Sequence, residues 1–363
     1  MMICCTNCHK PFPERGIPYR CEDCGGVFDL DGPLSFDPTK IEKEQPGIWR
    51  YRNTFNLPEH SPVLSLGEGN TPLVWAKAHG QEIALKCESL NPSGSFKDRG
   101  SATLVSFLRS RGVTEAIEDS SGNAGASFAA YAARAGVRAR VFVPEAASGP
   151  KRSQIAAYGA EVVPIPGSRS NAAEAARREA QAGAVYASHA YLPFNIPGYA
   201  TLAYELVEQL GGEPGTVIIP AGQGGLILGV IRGFEAMVMA GRIKKIPHLV
   251  GVQARACAPL WALAAYGRAG LQWVSEGQTL AEGIRVRNPV RGDAVIRAVE
   301  ATGGFFVAID EEDIAAGRDE LARRGLYVEN TSAVVWKALE LVNGKAPEPV
   351  VAVLTGSGLK NAA

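Results

Sequence analysis

The chain has 363 residues, 46% of them hydrophobic and 20% charged, and its 37 basic side chains balance 37 acidic ones. This is ample material for a buried core in two domains plus an appendage, while a formal charge of zero removes the long-range attraction expected of a nucleic-acid or anionic-membrane binder. No apolar run approaches the length of a membrane span, and Met1-Met2-Ile3-Cys4-Cys5 lacks a basic region followed by an apolar stretch, so the expectation is a cytoplasmic protein with no membrane and no nucleic-acid partner.

Five of the seven cysteines fall in the first 24 residues, which argues against a disulfide framework spread through the fold. Cys5-Thr6-Asn7-Cys8 and Cys21-Glu22-Asp23-Cys24 are two C-x2-C knuckles separated by twelve residues. Together Cys5, Cys8, Cys21 and Cys24 make the four-sulfur set that zinc prefers, and Gly25 and Gly26 suit the turn after the second knuckle. Cys4 competes with Cys5 for register, and a reduced, metal-free cluster is the competing reading. A four-thiolate cage has no open position, so its zinc would hold the segment folded without doing chemistry. Residues 31–62 show little periodicity and read as a wrapping segment.

The rest of the chain repeats strand, glycine-bearing turn and helix. A strand ending at 116–119 enters Ser120-Ser121-Gly122-Asn123-Ala124-Gly125 and a small-residue helix to about Arg134. Strands at 138–143, 161–165 and 185–188 alternate with helices at 151–158, 171–181 and 200–210. A strand at 216–220 then enters Ala221-Gly222-Gln223-Gly224-Gly225-Leu226 and an apolar helix to about Met239, and strands at 249–253 and 350–354 complete the pattern. Such alternation predicts an α/β fold with parallel sheets covered on both faces, whose ligands sit beyond the carboxyl ends of strands.

Three segments carry chemistry. In Asn91-Pro92-Ser93-Gly94-Ser95-Phe96-Lys97-Asp98-Arg99-Gly100, a Pro-Ser-Gly turn opens a predicted helix, placing free N–H groups and a hydroxyl beside an amine. That suits a phosphate next to a Schiff-base lysine; the plainer reading is a helix start with three surface charges. In the Ser120–Gly125 turn, Ser121, Asn123 and successive N–H groups suit a substrate carboxylate, or simply cap a helix. Gly222-Gln223-Gly224-Gly225 lets backbone amides approach an anion, but fits neither the dinucleotide G-x-G-x-x-G nor the P-loop pattern.

In this order, with Gly67-Glu68-Gly69-Asn70-Thr71-Pro72-Leu73, Gly325-Leu326-Tyr327-Val328-Glu329-Asn330-Thr331-Ser332-Ala333 and Leu354-Thr355-Gly356-Ser357-Gly358-Leu359-Lys360, these segments resemble the fold-type II pyridoxal-phosphate enzymes, nearest to the threonine synthases. The resemblance spans residues 64–360, and some threonine synthases carry a cysteine ribbon like the one at 1–30. It implies two three-layer domains: a large one from 31–95 and 196–363, and a small one from 96–195. It makes Lys97 the lysine that carries the cofactor and moves protons, and puts Phe96 beside the ring and Asn123 at its 3′-oxygen. Ser120, Ser121, Gly122, Asn123 and Ala124 match the substrate-carboxylate loop. Gly222, Gln223, Gly224, Gly225 and Leu226 match the cofactor-phosphate loop, and Thr355 faces the pyridine nitrogen. A hydroxyl there does not enforce a protonated ring, which favours elimination and replacement over transamination.

The implied reaction converts O-phospho-L-homoserine and water to L-threonine and phosphate, in a homodimer acting on a small amino acid. Two departures bear on the substrate. Ser121-Gly122-Asn123-Ala124 lacks the hydroxyls of the usual T-G-N-T/S turn. The stretch Pro193-Phe194-Asn195-Ile196-Pro197-Gly198-Tyr199 lacks the arginine that usually grips the substrate phosphate, leaving Arg99, Lys151, Arg152 or Arg285 and Arg287 as substitutes. A serine or threonine dehydratase, or a β-replacement enzyme, is therefore the second reading. The third is a non-catalytic protein whose zinc ribbon binds a partner. Of the five histidines, at 9, 60, 79, 189 and 248, only His189 lies near a matched substrate segment.

Overall fold

Two short antiparallel strands, β1 (Met2–Cys5) and β2 (Phe28–Asp31), bracket the cysteine knuckles. The structure, a computed structural model, describes residues 2–145 and 149–360. Residue 1 of the expected cap, residues 146–148 of the expected small domain and residues 361–363 of the expected large domain lie outside it. The segment expected to wrap forms only 3-10 turns, at Pro38–Lys40 and Gly47–Thr54, and the second buries Ile48, Trp49 and Tyr51. After it come β3 (Leu73–Ala78), β4 (Gln81–Lys86), α1 (Lys97–Ser110), β5 (Glu115–Glu118), α2 (Asn123–Ala135), β6 (Arg138–Pro144), α3 (Pro150–Ala157), β7 (Glu161–Ile165), α4 (Arg169–Gln181) and α5 (Ile196–Leu210). The remainder is β8 (Thr216–Pro220), α6 (Gly225–Met239), β9 (His248–Ala254), α7 (Pro259–Gly270), α8 (Gly292–Ala301), β10 (Phe305–Ile309), α9 (Glu311–Arg323), α10 (Asn330–Val342) and β11 (Val350–Val353).

The chain divides into two compact units. One runs to Gly69 and from Asn91 to Gly198; the other takes Asn70–Leu90 and Tyr199–Lys360. In the first, β5, β6 and β7 form a parallel sheet in that order. The strand expected at 185–188 is a single bridge between Ile117 and Tyr186. Ile117 N–H donates to the Val185 carbonyl and Ala187 N–H to the Ile117 carbonyl, one step of a ladder. The chain then turns at Ser188, whose Oγ accepts the Ala190 N–H.

The second unit holds a six-stranded sheet in the order β10-β9-β8-β11-β4-β3. It is parallel except that β3 lies antiparallel to β4, which corrects the expectation of parallel sheets throughout. The cause is local: β3 and β4 are joined by His79 and Gly80, at φ of 48° and 79°, and a two-residue turn of this hand permits only a hairpin. Ile83, Leu85, Ile218, Val250, Val350 and Ala352 of the sheet pack with Val334, Val335 and Leu339 of α10 in one core. Beneath them Lys86 Nζ pairs with Glu205 Oε2 at 2.8 Å, both side chains being at most 1% exposed. Lys86 also donates to the Thr71 carbonyl and Gln209 Oε1, while Glu205 Oε1 accepts the Asn70 N–H. With both partners so engaged the pair is tolerable in the interior, and removing one partner alone costs about 3–5 kcal/mol.

Candidate active site

Lys97 is the first residue of α1, and its helix start is held by side chains rather than by a cap. Asp98, fully buried, accepts hydrogen bonds from Ser93 N–H, from Ser93 Oγ and, at 2.6 Å, from Ser127 Oγ of α2. One carboxylate thus fixes both the turn before Lys97 and the helix that begins at Asn123. Asp98 and Arg99 are both 0% exposed, so the plainer reading of surface charges fails for them. Lys97 is half-buried, its Nζ 4.9 Å from the centroid of the Phe96 ring. Ser95 Oγ beside it is buried and has no hydrogen-bond partner among the described residues.

The Ser120–Gly125 turn follows β5 and leads into α2, with no side-chain cap at Gly122. Gly125 is required by packing, because a Cβ there would lie 1.8 Å from the Ser120 carbonyl oxygen. Ser120 N–H donates to Glu118 Oε2 at 2.5 Å and Gly122 N–H to Ser120 Oγ at 3.2 Å, so these two amides serve the turn itself. Ser121, Gly122 and Asn123 are half-buried and Ala124 is buried. Glu118 Oε1 lies 2.6 Å from His189 Nδ1. Burial pushes the Glu118 carboxyl up to about 7, and burial together with the Lys97 charge holds His189 well below the usual imidazole range.

In the second unit, Gly222-Gln223-Gly224-Gly225 links β8 to α6. A Cβ on Gly222 would lie 3.1 Å from Ile284 Cα, and Gly224, at φ +77°, would drive one to 2.5 Å from Val295. Gln223 Oε1 accepts the Val290 N–H and fixes the loop's outer side. No side chain caps the start of α6, where Leu226 is buried. Thr355, 1% exposed, places Oγ1 3.1 Å from Ser332 Oγ, which also accepts the Gly356 N–H.

Near the start of the first unit, the Cys5, Cys8, Cys21 and Cys24 sulfurs all lie within 4.8 Å of one another. The Cys5–Cys24, Cys8–Cys24 and Cys8–Cys21 separations are 3.4, 3.5 and 3.6 Å, near the edge of about 3.8 Å for a tetrahedron with metal–sulfur bonds of about 2.3 Å. Cys4 is not in this group. Gly26 is fixed by the cluster, since a Cβ there would lie 2.7 Å from Cys5 Sγ. The knuckles pack on the 186–195 segment: Phe12 stands edge-on to Phe28, Phe107 and Phe194, and Tyr19 meets Tyr186 and Tyr191.

Of the cations named as substitutes for the missing arginine, Arg99 is sealed in the interior, Arg285 Nη1 donates to Gln278 Oε1, Arg287 is exposed, and Lys151 and Arg152 start α3. Sequence reasoning missed Asp98 and Glu118. The available signal was the Ser93–Asp98 spacing for the first; nothing local announced the second.

A family model described as pyridoxal-phosphate dependent enzyme matches residues 64–356. The chain belongs to that family. It is 32% identical to the threonine synthase of Methanocaldococcus jannaschii over 99% of this chain and 93% of the relative. To the threonine synthase of Synechocystis sp. it is 36% identical over 86% and 83%. A crystal structure of the T.th. threonine deaminase superposes with a TM-score of 0.65 at 26% identity, covering 79% of this chain and 92% of that one. The chain is thus a fold-type II pyridoxal-phosphate lyase of the threonine-synthase kind. Its residues fit the cofactor: a Cβ at Gly222 or Gly224 would crowd the Ile284 backbone or Val295, and the uncapped helix behind the loop offers N–H groups to a phosphate.

Proposed function

We propose that the protein converts O-phospho-L-homoserine and water to L-threonine and phosphate. The observation that carries this reading is Lys97, half-buried at the head of α1 on a turn clamped by Asp98, in a chain whose relatives are threonine synthases. Bound pyridoxal phosphate supplies the electron sink that makes the substrate's α-carbon acidic. Lys97 anchors the cofactor, and its freed amine takes the α-proton and returns protons farther along the chain of the substrate. Ser120, Ser121, Gly122, Asn123 and Ala124 form the loop that holds the substrate carboxylate, with Asn123 also at the ring oxygen and Phe96 beside the ring. Because the Ser120 amide is taken by Glu118 and the Gly122 amide by Ser120 Oγ, the grip falls on Ser121, Asn123 and Ala124. Gly222, Gln223, Gly224, Gly225 and Leu226 hold the cofactor phosphate. Thr355 would face the ring nitrogen and could donate to it while Ser332 donates to Thr355.

Cys5, Cys8, Cys21 and Cys24 would hold a structural zinc in a ribbon at 1–30, and the rest of the chain comprises a large cofactor domain of 31–95 and 196–363 and a small one of 96–195. The protein works in the cytoplasm as a homodimer; no helix of the described residues is long and apolar enough to cross a membrane. A dehydratase acting on serine or threonine is the second reading, favoured by the missing arginine at 193–199. Purified wild type should be yellow and release phosphate from O-phosphohomoserine, and Lys97→Ala should lose both. A wild type left colourless after soaking in the cofactor contradicts both enzyme readings.

A further inference from the structure

The segment without an arginine is preceded by a built polar group to which the reading above gives no role. Glu118 is 1% exposed and its partner His189 13% exposed, so what little of the pair meets solvent is on the imidazole. Nδ1 faces Glu118 Oε1 at 2.6 Å, and Glu118 Oε2 accepts the amide of Ser120, the first residue of the carboxylate loop. Asn195, itself 2% exposed, donates Nδ2 to the His189 carbonyl at 2.7 Å and fixes the turn that carries the ring. Among the described residues Nε2 makes no hydrogen bond.

We propose that Glu118 and His189 share one exchangeable proton, and that His189 Nε2 is the polar contact for the distal oxygen group, phosphate or hydroxyl, of the amino-acid substrate. This rests on the amino-acid lyase reading. With the proton present, Glu118 is a carboxylic acid: Oε1–H donates to Nδ1, the Oε2 carbonyl accepts the Ser120 amide, and Nε2–H donates outward. When Nε2 gives its proton up, the Glu118 proton moves to Nδ1, Glu118 becomes a carboxylate, and Nε2 presents a lone pair. One proton leaves and the Ser120 bond is kept in both states. Burial favours the neutral acid beside a neutral ring. Lys97 and Arg169 oppose protonation of both groups, and Asp119, itself pushed up by burial and bonded to Tyr186, favours protonated His189. With Glu118 at about 7, the outward nitrogen changes from donor to acceptor near neutral pH. A buried neutral donor on this segment would do by hydrogen bonding what an arginine does by charge.

The test uses the holoenzyme and reads ligand binding from the absorbance of the bound cofactor, with 2-amino-5-phosphonopentanoate and, lacking the phosphonate, L-norvaline. Binding is measured one pH unit below and one above the Glu118 value. Wild type should prefer the phosphonate, and His189→Phe should reduce that preference by about tenfold or more with norvaline unchanged. His189→Gln, whose amide N–H reaches near the Nε2 position, should restore part of it. Glu118→Gln offers an amide N–H to Nδ1 and a carbonyl to Ser120, so it should keep the preference at both pH values, and comparison with wild type at each pH cancels the ligand's own titration. An unchanged preference in His189→Phe, or Glu118→Gln falling with pH as wild type does, overturns the proposal. Wild type that releases no phosphate from O-phosphohomoserine yet keeps the His189-dependent preference would remove the threonine-synthase reading and leave the pair standing.

Discussion

The chain enters a helix through a glycine-rich turn twice, and the two turns are backed by opposite chemistry. Behind Ser120–Gly125 stand two titratable groups, Glu118, which accepts the Ser120 amide, and His189, which pairs with Glu118. Behind Gly222 and Gly224 the nearest atoms belong to Gly283, Ile284, Val286 and Val295, backbone and aliphatic side chains. The first turn is closed by backbone contact, since Gly125 presses on the Ser120 carbonyl; the second leaves its glycines facing side chains and a neighbouring loop. A cofactor phosphate keeps its charge and place through turnover, so a cradle of backbone amides at a helix start suits it. A substrate that changes protonation as it reacts is matched by a turn whose support also exchanges a proton.

The largest effect expected is at Lys97, which precedes both turns in the chain: Lys97→Ala should lower turnover by about a thousandfold or more while the protein stays folded, checked by stopped assays and melting. Gly125→Ala should destabilise the first turn by about 2–3 kcal/mol in denaturant titrations, because backbone must move. Gly222→Ala should cost stability less and weaken cofactor affinity by about tenfold, read by equilibrium dialysis; equal stability losses in the two would erase the contrast between closed and open turns.

A smaller effect separates the turns by pH. Glu118 is raised in the fold, so the fold binds its proton more tightly than the unfolded chain does. Its contribution to stability is full below the ordinary carboxyl value of 4.5 and is lost as pH rises through about 7. Glu118→Gln should therefore gain stability relative to wild type as pH rises across that window, measured by denaturant midpoints; a constant difference would mean that Glu118 is ionised throughout. The smallest change in turnover is expected from the Cys5→Ser, Cys8→Ser double variant, which should lose zinc by metal analysis and loosen Phe12 and Tyr19 from the 186–195 segment. Unchanged zinc content would rule out the cage.

Much of this was legible from sequence where one period or one short motif sufficed. The turns at Ser120 and Gly222 stand where strands give way to helices in the pattern, and the structure has β5 to α2 and β8 to α6 there. The hairpin of β3 and β4 was not legible, because His79-Gly80 is not one of the Asn-Gly or Asp-Gly pairs that announce such turns. β10, with its edge position beside β9, also went unread. At the site, Asp98 looks like one of three surface charges until Ser93 and Ser127 are seen around it. Glu118 and His189 stand 71 residues apart, and a glutamate closing a short strand reads as an ordinary polar end. Pairing across that distance is a product of the fold and leaves no local spacing to find.

The central claim, a lyase of the threonine-synthase kind, is tested most directly by product analysis of the wild-type holoenzyme. O-phosphohomoserine should yield phosphate and L-threonine in equal amounts, with little keto acid formed from serine or threonine under the same conditions. Keto acid from serine or threonine, with no phosphate released from O-phosphohomoserine, would contradict it.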